Sequence, residues 1–158
     1  MLRPLTIALT LLAAPALAQN VAFGGMTADT SAPVEVAADN LAVDQADGSA
    51  VFTGNVVIGQ GEMRLAADSV TVIYAEGGQN WIQALKAQGN VTLTSGKDAA
   101  QSETADYDVA SGNIALAGAV VLKQGQNVLT GDRMIVNLAD GTARVDGRVR
   151  SVLQPGGN

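Results

Sequence analysis

An acidic residue followed nine positions later by a glycine is written four times along this chain: Asp39 and Gly48, Asp68 and Gly77, Glu103 and Gly112, Asp132 and Gly141. A second glycine closes each unit, at Gly54, Gly89, Gly118 and Gly147. It falls 15 residues after the acid in three units and 21 after it in the second, and 14 residues always lead on to the next acid. The period is therefore about 29 residues, with six residues inserted once between Gly77 and Gly89. Self-similarity of this length points to stacked supersecondary units, each burying its apolar face on its neighbours.

The alternation within the units selects the kind of element. Counting two and four residues after each acid, and two and four on either side of each second glycine, gives 24 positions. They are Leu41, Val43, Ala50, Phe52, Val56 and Ile58; Val70, Val72, Leu85, Ala87, Val91 and Leu93; Ala105, Tyr107, Ile114, Leu116, Val120 and Leu122; Met134, Val136, Ala143, Val145, Val149 and Ser151. All but Ser151 are apolar or aromatic, whereas Lys86, Arg133, Arg144, Arg148 and Arg150 fall between them. A period of two with one clean face predicts antiparallel sheet, buried on one side and wet on the other.

The first glycines sit in turn sequences such as Asp47-Gly48 and Asp140-Gly141, which mark hairpins. The second glycines interrupt apolar alternation, where glycine marks a bulge or bend. Strands bent once per unit and stacked along an axis give two facing layers. The expected fold is all-β: an antiparallel β-jelly-roll or solenoid-like sandwich of four units, open at both ends. Extending the parity into the insertion places Tyr74 and Trp81 on the interior side, as an aromatic lip or as an end closure.

The ends of the chain follow other rules. Arg3, the apolar run from Leu5 to Leu17 and Ala16-Leu17-Ala18 have the form of a secretory signal cut after Ala18. The expected organisation is a signal over 1–18, a flexible leader over 19–32, one domain over 33–153 and a flexible tail over 154–158. Without Arg3 the exported chain carries eight Lys and Arg against fifteen Asp and Glu, a net of −7, which argues against nucleic acid as a partner. The chain has no cysteine and no histidine, so it lacks disulfide staples, the commonest metal ligands and the usual partners of a catalytic nucleophile.

Few residues remain for chemistry. The four acids could form a cation-binding column, or each could hold a corner by accepting backbone N–H bonds. Asp44 with Asp47, and Asp106 with Asp108, are close enough in sequence for paired-carboxylate work, but they fall at turns or on the wet face. Arg144, Arg148 and Arg150 point outward, toward a phosphate or as an edge protected from aggregation. The reading is of a protein that is not an enzyme and uses no cofactor or metal.

Pro33-Val34-Glu35-Val36-Ala37-Ala38-Asp39, Phe52-Thr53-Gly54-Asn55-Val56, Leu65-Ala66-Ala67-Asp68 and Gly89-Asn90-Val91-Thr92-Leu93 together resemble the LptA/OstA family over about 33–153. In the third and fourth units Gly-Asn-Val has become Gly118-Ala119-Val120 and Gly147-Arg148-Val149, and no long basic C-terminal extension is present. The resemblance implies a periplasmic β-jelly-roll that carries lipopolysaccharide from the inner to the outer membrane. It implies stacking with an inner-membrane anchored component and an outer-membrane barrel component, and head-to-tail self-association. The family's lipid-facing positions correspond to Val34, Val36, Leu93, Tyr107 and Val109.

Parity adds Leu41, Val43, Phe52, Val56, Ile58, Val70, Val72, Val91, Leu116, Val120, Leu122, Met134 and Val136 to the expected lipid A surface. The expected partner edges are Val34, Glu35 and Val36 at one end and Val149, Arg150, Ser151, Val152 and Leu153 at the other. Two other readings compete: a structural β-solenoid with protein partners only, and the inner-membrane anchored component of the same system.

Overall fold

A computed structural model describes residues 26–76 and 81–155, and among them all regular structure is β-strand. The expected signal over 1–18 lies outside the described residues. Ten strands follow in chain order: β1 (Glu35–Ala37), β2 (Asn40–Asp44), β3 (Ser49–Gln60), β4 (Met63–Tyr74), β5 (Ile82–Ser95), β6 (Asp98–Asp108), β7 (Asn113–Gln124), β8 (Asn127–Asn137), β9 (Thr142–Asp146) and β10 (Arg150–Val152). Strands β3 to β8 pair in sequence, each antiparallel to the next. At one end β1 and β2 both pair with β3; at the other β9 and β10 both pair with β8.

The long strands are not straight. Pairing slips between Thr53 and Val56, between Gln88 and Val91 and between Ala117 and Val120, where the second glycines stand. There Gly54-Asn55, Gly89-Asn90, Gly118-Ala119 and Gly147-Arg148 each place two consecutive residues at positive φ. Two left-handed residues in a row turn β3, β5 and β7 sharply, their neighbours slip register opposite them around Asp68 and Glu103, and each long strand gives one half to each of two facing layers. Layer one holds 40–44, 49–53, 69–74, 82–88, 104–108, 113–117, 133–137 and 142–146. Layer two holds 35–37, 56–60, 63–67, 91–95, 98–102, 120–124, 127–131 and 150–152.

Each acid packs over the glycine of its corner, and among the described residues none of the four side chains accepts the expected backbone N–H bond. A Cβ at Gly54 or Gly147 would stand 2.7 or 2.6 Å from a carboxylate oxygen of Asp39 or Asp132, and Glu103 and Asp68 cover Gly118 and Gly89 in the same way. Asn55 and Asn90 donate from Nδ2 to Asp39 and Asp68 at 2.9 and 2.8 Å, and Arg148 reaches Asp132 at 2.7 Å. Asp39 N and Asp132 N donate to the carbonyls of Gly54 and Gly147. Among the described residues no three acids gather into one site.

The register stacks the interior in rows. In layer one Val43, Ala50, Val72, Leu85, Tyr107, Ile114, Val136 and Ala143 are successive pairing partners. In layer two the corresponding row runs from Val36 through Ile58, Leu65, Leu93, Ala100, Leu122 and Leu129 to Ser151. Most of these side chains are buried, which for a Leu, Ile or Val contributes about 1.5–3 kcal/mol each.

Two expectations need correction. Residues 19–32 do not form an unengaged leader throughout, because 26–32 pack on the domain: Met26 is 3 % exposed and belongs to the core. Trp81 does not face the interior. The pairing slips between Ile73 and Tyr74, so that Tyr74 meets Ile82; Tyr74 and Ile82 pack against the core, and Trp81 is 75 % exposed.

Candidate functional site

The space between the layers is where the expected lipid-facing residues meet. Val56, Ile58, Val70, Val72, Val91, Leu93, Tyr107, Leu116, Val120, Leu122, Met134 and Val136 are all buried within one core cluster. Val34, Val36, Phe52 and Val109 are half-buried against it. Leu41 and Val43, on edge strand β2, are 55 and 54 % exposed, so the interior rows emerge into solvent at that end. At the other end Val149, just before β10, is exposed on the interior parity, and the layer-two row ends on the exposed Ser151, while Val152 within β10 lies on the outward row of Val128 and Lys123. The interior is thus continuous from edge to edge, closed along its middle and uncovered at its ends.

Parity counted only to four residues past each second glycine leaves out the rest of each 14-residue spacer. Met63, Leu65, Ala67, Ala100 and Leu129 lie there, and all five are buried in the core. Their alternation, Met63-x-Leu65-x-Ala67 running into Asp68, is a legible signal once the frame is carried backward from each acid.

The two layers also differ at their lips. Layer two ends in a row of pairing partners that reads Gln60, Met63, Ser95, Asp98, Gln124 and Asn127, five of them polar. Gln60 and Ser95 are buried at 1 and 3 % exposure. Gln60 spans the interior: its Oε1 accepts from the Tyr107 hydroxyl of layer one at 2.5 Å. Burial pushes the Tyr107 phenol above its usual value, so the hydroxyl is a proton donor at neutral pH. Gln60 Nε2 donates to the carbonyls of Thr30 and Ala32 at 3.1 and 3.0 Å.

Outward residues behave as solvated charge. Arg144 pairs with Asp146 at 3.0 Å and Arg148 with Asp132 at 2.7 Å, and these side chains stay largely in water. Asp47, Asp108 and Asp140 lie below the usual carboxylate range, chiefly through hydrogen bonds from Ser49, Ser111 and Thr142 in the hairpin turns. They close turns and take no part in the interior.

Residues 35–142 match the family model described as "LptA/(LptD N-terminal domain) LPS transport protein". The chain belongs to this family. The family is one of transport proteins rather than of enzymes, and its LptA-like members are periplasmic. The chain is 32 % identical over 158 residues to a Rhizobium meliloti (strain 1021) protein described as "Uncharacterized protein R00383", covering 92 % of this chain and 85 % of that one. It is 26 % identical over 129 residues to the "Lipopolysaccharide export system protein LptA" of Escherichia coli (strain K12), covering 78 % of this chain and 69 % of that one. Its fold is that of the crystal structure of LptH from Pseudomonas aeruginosa, the LptA homologous periplasmic component of the lipopolysaccharide transport device. The TM-score is 0.72 at 21 % identity, over 81 % of this chain and 99 % of that one. Membership fits the interior described above, with its apolar rows running from one unpaired edge to the other.

Proposed function

We propose that this protein is a periplasmic lipopolysaccharide bridge: it holds the acyl chains of lipid A between its two layers and passes them along the interior. The observation that carries the reading is the set of apolar rows that run the length of the stack and emerge at Leu41 and Val43 at one end and at Val149, next to the polar row end Ser151, at the other. Each methylene taken from water into such an interior contributes about 0.8 kcal/mol. No bond is made or broken, so a sequence without histidine or cysteine is no obstacle.

Strand addition supplies the partners. Strands β1 and β2 stand at one end of the pairing order and β9 and β10 at the other, each with one side unpaired among the described residues. Val34, Glu35 and Val36 of one molecule would extend the sheet at Val149, Arg150, Ser151, Val152 and Leu153 of the next. The same edges would meet the inner-membrane anchored and outer-membrane barrel components, and the interiors would join.

A structural β-solenoid is the competing reading, favoured by the tight closure of the middle, where Leu93, Ile114 and Met134 are 0 % exposed. Purification from an outer-membrane-forming host followed by native mass spectrometry separates the two. The expected result is protein carrying lipid A. Protein that neither retains lipid A nor takes it up from detergent solution would leave the scaffold reading standing.

A further inference from the structure

The strip of chain at 26–32 crosses the opening between the lips of the two layers. Ala28 N donates to the Leu138 carbonyl at 3.0 Å, beyond β8 in layer one. Ser95 Oγ, at the lip of layer two, donates to the Thr27 carbonyl at 2.6 Å, and Gln60 Nε2 holds the Thr30 and Ala32 carbonyls. Met26 enters the core beneath this crossing. The strip pairs with no strand, in contrast to the ladders around it.

Three main-chain carbonyls therefore lie on a polar lip directly above an apolar row that includes Ile58, Leu65 and Leu93. Gln60, Ser95, Asp98 and Gln124 fall on one register line of adjacent strands, so they recur about every 4.8 Å, with Met63 the one apolar member between them. Gln124 Nε2 donates to Asp98 Oδ2 at 3.0 Å in a half-buried position. A hydrocarbon-filled interior does not need such a row. A ligand with hydrocarbon tails and carbonyl groups at their heads does, because the buried donors of Gln60 and Ser95 must find other acceptors once the strip leaves, Asp98 being an acceptor already held by Gln124.

Resting on the lipid-carrier reading above, we propose that this lip is the binding row for the ester and amide linkages at the head of acyl chains, and that residues 26–32 occupy it when the interior is empty. Loading exchanges one set of carbonyls for another. The strap leaves, Gln60 and Ser95 turn their donors to the acyl-linkage oxygens, and the acyl chains take the place of Met26. Tyr107 holds Gln60 Oε1 in both states and so keeps the amide donor aimed at the lip.

A disulfide can lock the strap. A Cβ at Gly61 would stand 3.6 Å from the Asp29 Cβ, within the range of a disulfide, and the chain has no other cysteine. The left-handed backbone at Gly61 strains a cysteine there, and the reduced D29C/G61C protein carries the same strain as its own control. Oxidised D29C/G61C is expected to bind hexa-acyl lipid A at least tenfold more weakly than reduced. Met26→Ser, which loosens the strap without touching the lip, is expected to tighten binding about tenfold. With lipid A 13C-labelled at its acyl carbonyls, the infrared carbonyl stretch should fall on binding to Met26→Ser protein, and fall less when Ser95→Ala is added.

Equal binding by oxidised and reduced protein, or an unshifted stretch in bound lipid, overturns the proposal and leaves the carrier reading intact. Binding lost in both redox states passes the decision to Met26→Ser, where unchanged or weaker binding overturns it. Lipid A bound by no form of the protein, the native chain included, removes the carrier reading instead.

Discussion

Arg148 lies 2.7 Å from Asp132 at the last corner, in the place that the Asn55 amide takes beside Asp39 at the first. Both residues are left-handed, at φ of 45° and 47°. The corner thus asks two things of this position: tolerance of positive φ and a donor for the acid. Asparagine meets both, while arginine meets the second at the expense of the first. Arg148→Asn is therefore expected to keep the urea midpoint of the native protein or raise it, and Arg148→Val, β-branched and without a donor, to lower it.

The third corner lacks the donor altogether. Ala119 sits at φ 45° beside Glu103 and Gly118, an uncommon conformation for a residue with a Cβ and no polar group. Ala119→Asn should relieve part of that strain and give Glu103 an amide, for a gain of about 0.5–1 kcal/mol in urea denaturation. A loss of stability would show that the side-chain donor has no value at the corner.

How much of this was legible in the sequence depends on the residue. Val70, Val72, Val91 and Leu93 were placed by alternation alone, because each keeps a fixed offset from an acid or a glycine whose geometry recurs. Gln60 and Ser95 were passed over, since they lie in the spacers and their worth comes from what crosses above them. Thr27, Thr30 and Ala32 engage the domain through main-chain carbonyls, which every residue carries, so side-chain pattern could not reveal them. Trp81 was misplaced because Gln83 is an extra residue in β5 opposite Ile73 and Tyr74, which reverses parity between Ala84 and Ile82, and nothing in Trp81-Ile82-Gln83 announces it.

Acid should weaken the hairpins before it reaches the core. Asp47, Asp108 and Asp140 are lowered by turn hydrogen bonds, and Asp132 by Arg148. A carboxylate whose folded value lies below its unfolded one contributes stability fully above the unfolded value, and that contribution is lost as pH falls through the folded one. The window is therefore below about pH 4. The triple variant D47N/D108N/D140N retains side-chain acceptors but no titration there, so its urea midpoint should fall less steeply than the native one between about pH 4 and pH 2. Parallel curves would remove these turns from the acid response.

Opposite faces of β5 should respond oppositely to charge. Leu93 is 0 % exposed between the layers, whereas Lys86 points outward from the same strand. Leu93→Ala is expected to cost about 2–5 kcal/mol, and Leu93→Asp to cost more, because it places a carboxylate in the interior. Lys86→Asp should stay within about 0.5 kcal/mol of native. Lipid loading should follow the same order, and equal losses at the two positions would contradict the face assignment.

The hydrogen bond from Tyr107 to Gln60 gives the last test, because it joins the two layers across an otherwise apolar space. Tyr107→Phe removes the donor and leaves Gln60 Oε1 buried without one, at a cost of about 1–3 kcal/mol. Gln60→Leu leaves the phenol in the same position, and the double variant removes both partners. It should recover much of the loss, which a double-mutant cycle in urea reads directly as coupling. The pH dependence gives an independent check. Burial raises the folded phenol above its usual value, so its stabilisation is present below the unfolded value and is lost as pH climbs through the folded one. Native protein should therefore lose stability above about pH 10 by a margin that Tyr107→Phe does not show. Additive single effects together with identical alkaline limbs would mean that this hydrogen bond adds nothing to the apolar packing between the layers.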